Sequence, residues 1–151
     1  MRARWATLAL LAALAAPVGA EELVVVVHPD RSASITREEL AQIFLKQRRH
    51  WQGGDGIVPV NREAESRERE EFVRDLFSHT PQQLSVYWNR QYFLGVLPPA
   101  TLASDRAVLE FVAREKRAIG YVRASAVDDS VRVVLRLGRE PGAGGEAPRT
   151  N

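Results

Sequence analysis

Arg62 and Ser66 carry the most chemistry in this sequence, because they stand where an apolar run gives way to a charged helix. The stretch VPVNREAESREREEF runs from Val58 to Phe72. In α/β proteins, ligands favour the carboxyl ends of strands, where helices begin. A helix start carries about half a positive charge and presents bare N–H groups. Ser66 would donate its hydroxyl to an anion there, and Arg62 would add a forked, charge-assisted contact. The backbone N–H groups of Arg67 and Glu68 would complete a cradle for a tetrahedral oxyanion. Ser32 and Ser34, in the DRSAS stretch, offer a second set of hydroxyls to the same corner.

These residues also have a plainer explanation. Ser66 is a favoured N-cap residue type. Glu63–Arg67, Glu65–Arg69 and Glu70–Arg74 are spaced i,i+4 and would hold a solvated helix. Glu63 and Glu65 would repel an anion, and Ser32 and Ser34 are ordinary loop residues. Taken one residue at a time, the plainer account is the stronger.

Other chemistries find less support. The three histidines, His28, His50 and His79, are isolated from one another. No HExxH pair suggests a metal, and no G-x-S-x-G elbow suggests a hydrolase. The sequence therefore points to no metal, no cofactor and no enzyme; a phosphatase is the enzymatic alternative. KQRRHW is a weak phosphate or nucleic-acid signal that a helix C-terminus explains equally well. Tyr87, Trp88, Tyr92 and Phe93 lie at helical spacing, which predicts a core stripe.

The elements that must position Arg62 and Ser66 read as follows. LVVVVH (Leu23–His28) is a buried strand ended by Pro29. Thr36 with Glu39 forms a capping box for a helix whose apolar stripe is Leu40, Ile43 and Phe44. IVPV (Ile57–Val60) is a short strand, placed at an edge or near an end by Pro59. A charged helix follows over roughly 65–77. Thr80, Pro81 and Gln83 open another helix, and Gly95 stops it. VLPPAT reads as a rigid connection, and Ser104 caps the next helix. AIGYV (Ala118–Val122) and VRVVLRL (Val131–Leu137) are strands. The order β-α-β-α-α-α-β-β argues an α/β protein with a small mixed sheet flanked by helices. Its first two strands are expected to be joined by a right-handed crossover.

The ends suggest export. Arg2 and Arg4 precede the apolar WATLALLAALAA, and small residues lead to Ala20. This pattern predicts a signal peptide over residues 1–20, with an uncleaved anchor as the alternative. Cleavage would leave 131 of the 151 residues, enough for one domain, and no membrane insertion afterwards. It would also leave 19 basic against 19 acidic residues, which argues against a nucleic-acid partner. Without cysteine there is no disulfide to report on the compartment. The expected domain spans 21–137, and residues 138–151 read as a disordered tail.

Several stretches together resemble the phosphate-binding-protein family, the periplasmic component of phosphate ABC transporters, in its short single-lobe form. The carriers are VVVVHPD, ITREELAQIFLKQRRHWQGGDGIVPVNREAESREREEF and AIGYV. The resemblance covers about Leu23 to Leu137. It implies one lobe of a type 2 periplasmic binding protein. It also implies inorganic phosphate or a similar oxyanion as ligand, and an ABC transporter membrane component or an envelope sensor as partner. The family motif has an arginine, then Ser-Gly-Thr at a helix start. Arg62 and Ser66 match it, while Arg67 and Glu68 replace the glycine and threonine. A ligand-free interaction module of the same fold is the alternative.

Overall fold

The computed structural model describes residues 21–138. The expected leader over 1–20 and the expected tail from 139 onward lie outside the described residues. At the centre is β1 (Leu23–Val27), whose five apolar residues are all buried. Such a run suits a strand covered on both faces. Its odd residues Leu23, Val25 and Val27 join one core cluster, and Val24 and Val26 join the other, as the two-residue period of a strand requires.

The sheet has five strands in the order β3-β2-β4-β1-β5. β4 (Ala118–Arg123) and β5 (Arg132–Leu137) flank β1, both antiparallel to it. β2 (Val58–Arg62) runs parallel to β4, and β3 (Ala100–Leu102) runs parallel to β2 at the sheet edge. The small mixed sheet with flanking helices is the fold class the sequence implied. The expected crossover between the first two strands is corrected: β4 lies between β1 and β2, and the two run in opposite directions. β3 falls in the stretch read as a rigid connection. Pro59 lies near the beginning of an interior strand; β3 pairs only with Val60 to Arg62, so it makes no demand on Pro59 for an N–H.

α1 (Arg37–Phe44) and α2 (Arg67–Phe77) pack on one face, where Leu40, Ile43, Phe44 and Phe72 meet Ile119 and Tyr121. α4 (Asp105–Arg114) covers the other face with Val108, Leu109 and Val112. The Thr36–Glu39 and Thr80–Gln83 capping boxes both form. α3 (Pro81–Phe93) is peripheral and fully buries only Leu84. Here a second correction is needed. Tyr87 and Trp88 are half-buried, but Tyr92 is 65 % and Phe93 87 % exposed, so the aromatic stripe is not a core stripe.

Candidate functional site

β2 delivers Arg62 to the end of the sheet, and Ser66 starts α2 four residues later. Arg62 is buried, which is uncommon for an arginine and requires partners. Its backbone N–H donates to the Tyr121 hydroxyl at 3.2 Å. Tyr121 stacks on Phe72, ring centroids 3.8 Å apart, which fixes the hydroxyl under the strand end. The guanidinium pairs with the Asp105 carboxylate at the start of α4, donates to Ala103 O at 3.2 Å, and lies 3.7 Å from Glu68. Arg62 Nε is the one buried side-chain polar atom without a hydrogen-bond partner among the described residues.

Arg123, just after the AIGYV segment, extends this cluster. It donates to Glu68 at 3.2 Å, pairs with Glu71, and reaches Glu21 O at 2.6 Å. Two guanidinium groups therefore meet three carboxylates at the end of the sheet. Burial would raise the Glu68 carboxyl, but its own amide, Arg123 and Arg62 together hold it below the usual range. The corner is compensated from within the chain.

The helix start is similarly occupied. Ser66 Oγ accepts the Arg69 N–H at 3.1 Å and donates its proton to Glu63 O at 2.8 Å. The Glu70 N–H goes to Ser66 O. Ser66 is thus an N-cap with its hydroxyl engaged, as the plainer account expected. Of the three i,i+4 pairs, Glu70–Arg74 forms at 3.5 Å and is exposed.

The structure brings Arg62, Ser66, Arg67 and Glu68 to one corner, but not Ser32 and Ser34. Their loop leaves β1 after Val27, which pairs with Ile119; Ile119 also pairs with Pro59, at the opposite end of β2 from Arg62. Ser32 and Ser34 line a separate hollow of about 180 Å³ with Arg31, Arg48, Trp51 and Gln52. Arg31 is spent there: it lies 4.5 Å over the Trp51 ring, donates to Lys116 O at 2.9 Å and approaches Asp55. Arg48 pairs with Glu39. His28 is buried and accepts the Asp30 N–H. Among the described residues, no three His, Cys, Asp or Glu side chains come together as a metal site.

Asp105, Arg123, Glu71 and Tyr121 are the site residues that sequence reasoning missed. Tyr121 and Glu71 lie inside stretches that support the family resemblance, AIGYV and the one ending REREEF, while Asp105 and Arg123 lie outside them.

Residues 7–140 match the family model described as a PBP superfamily domain. The chain belongs to the PBP superfamily. Solved structures agree on the fold. The chain superposes on an ABC-type phosphate transport receptor from Vibrio cholerae with a TM-score of 0.62 and 22 % identity. It matches a putative phosphate ABC transporter substrate-binding protein with bound phosphate from Clostridium perfringens at 0.59 and 23 %. It matches PstS from Borrelia burgdorferi at 0.58 and 16 %. In each case 76 % of this chain is covered, against 45 %, 44 % and 46 % of the respective matched chain. The chain thus spans less than half the length of these PBP structures. Comparison with curated proteins found no match. The periplasmic-binding-protein type that the resemblance implied, and its single-lobe fold, are borne out.

Proposed function

We propose that this PBP-superfamily chain is an exported, non-enzymatic solute-binding-like domain that binds phosphate or a similar oxyanion weakly at the Arg62 corner. The observation that carries the reading is the buried Arg62 guanidinium at the carboxyl end of β2, with its Nε lacking an acceptor. A buried donor without a partner is rare in folded proteins and calls for an ion or water. The matched structures support the ligand class, since their names are those of phosphate receptors and one holds phosphate. Binding is weak for two reasons. Asp105 and Glu68 already lie on the guanidinium, so an anion competes with the chain's own carboxylates. The guanidinium is also buried, so an anion must displace the chain's own groups to reach it.

Residues 1–20 would direct the chain to the periplasm, and an ABC transporter membrane component of phosphate uptake would be its partner. Titration with phosphate and with sulfate, followed by NMR of the Arg62 Nε–H and the Arg67 and Glu68 amides, tests the ligand. A saturable shift at millimolar anion is expected. Strictly linear, salt-like shifts for both anions would remove the binding claim.

The internal charge compensation favours a second reading, a ligand-free interaction module of the same fold. In that case the anion titration is silent, while crosslinking in the envelope recovers a reproducible partner.

A further inference from the structure

The geometry points to a self-association surface on α3 and the turn after it, which fits a second copy of this chain. Five large apolar side chains are strongly exposed among the described residues, and all of them fall between positions 86 and 97. They are Val86 at 71 %, Tyr92 at 65 %, Phe93 at 87 %, Leu94 at 70 % and Leu97 at 63 %. Single exposed apolar residues are ordinary, but a contiguous group marks an interaction site. The group is held in place. α3 is tied to the end of α1 by the Tyr87 hydroxyl, which donates to Leu45 O at 2.8 Å. Tyr92 and Phe93 form an edge-to-face pair with centroids 6.1 Å apart. Gly95, at a φ of 76°, ends the helix between them and Leu97.

Charge decides the kind of partner. From Pro81 to Ser104 the only ionisable side chains of ordinary charge at neutral pH belong to Arg90, in a chain that is 26 % charged. Nucleic acid and anionic lipid both require clustered cations, and a charged peptide would find nothing to pair with. A second copy needs no opposite charge, since a two-fold contact uses the same patch on both sides. Area is consistent with this. At about 150–250 Å² per aromatic side chain, the exposed parts of Tyr92 and Phe93 alone offer roughly 230–380 Å². Val86, Leu94 and Leu97 enlarge that toward the apolar core of an interface of about 800 Å² per partner. The chain then enters β3, the edge strand, where Ala100 and Thr101 are exposed.

The inference does not rest on the oxyanion reading, and its test is separate. Sedimentation of the chain purified from the envelope, from about 1 µM to about 1 mM, should show a monomer–dimer equilibrium in the weak range. Phe93→Glu should weaken it at least roughly tenfold and leave the circular dichroism melt unchanged. Arg114→Glu, on the exposed side of α4, should leave it intact. A monomer throughout, or a dimer indifferent to both Phe93→Glu and Leu97→Glu, would overturn the proposal. So would a monomer that instead co-sediments with neutral or anionic phospholipid vesicles, which would assign the patch to a lipid surface.

Discussion

Arg62 and Asp105 lie 43 residues apart in sequence and form an ion pair at the end of the sheet. Their side chains are only 8 % and 20 % exposed. The pair fastens the end of β2 to the first turn of α4. Asp105 also accepts the Arg123 N–H at 3.3 Å, so one carboxylate joins three elements. Removing a partner of a buried pair strands the other charge, which costs roughly 3–5 kcal/mol. Asp105→Ala should fall at the low end of that range, because Glu68 still stands beside the guanidinium. Urea unfolding with an unchanged slope is the measurement. A loss below about 0.5 kcal/mol would show that the pair is a surface contact.

Neutralising Asp105 without removing it separates stability from binding. Asp105→Asn keeps the shape and an acceptor oxygen but removes the charge facing Arg62. Phosphate affinity should rise about tenfold, the equivalent of about 1.4 kcal/mol. Glu68→Gln should act in the same direction and less strongly, since Glu68 is the more distant of the two at 3.7 Å. Calorimetric titration of the parent and both variants decides this. Equal affinities in all three would show that the carboxylates do not compete with the anion.

The fold was legible where the signal is local. Two N-caps, Thr36 and Thr80, follow from residue type and the spacing of the following Glu or Gln, a third, Ser104, follows from residue type alone, and each forms. β1 follows from an unbroken β-branched run. Strand order was not legible, because nothing in LVVVV or VPV says that Ala118–Arg123 will come between them. Ala100–Leu102 is too short for a period, and its strand state comes from pairing with β2. The site divides in the same way. Arg62 and Ser66 are placed by adjacent elements, but Asp105 and Arg123 reach the corner only through the topology. Tyr92 and Phe93 were misassigned because helical spacing reports a face without reporting what covers it.

Tyr121 makes alkaline pH a probe of the same corner. Burial pushes its phenol above its ordinary range, against the pull of nearby arginines. A raised folded value means that the folded state keeps a proton that the unfolded chain gives up. Its contribution is therefore fully present below the unfolded value of about 10 and is lost as pH rises through the higher folded value. Urea midpoints of the parent should fall on moving upward from about pH 10. Tyr121→Phe should be less stable at neutral pH by about 1–3 kcal/mol, because the buried Arg62 N–H loses its acceptor. Its midpoint should depend less on pH above 10 than that of the parent. Parallel slopes would place the titration elsewhere.

Gly120 links packing to the site. A Cβ built there would meet Val108 Cγ1 at 2.7 Å and Val60 Cγ2 at 3.0 Å. Both belong to the core under α4, so neither can turn into solvent. Gly120→Ala should destabilise by about 1–3 kcal/mol, as overpacking does. Val108→Ala removes the closest methyl, so the double variant should be more stable than the sum of the single effects, by at least about 0.5 kcal/mol. The same pressure lifts α4, and α4 begins with Asp105, the partner of Arg62. The Arg62 Nε–H resonance should therefore move in Gly120→Ala and return in the double variant. A destabilised Gly120→Ala with that resonance unmoved would show that the corner is insulated from the packing beneath α4.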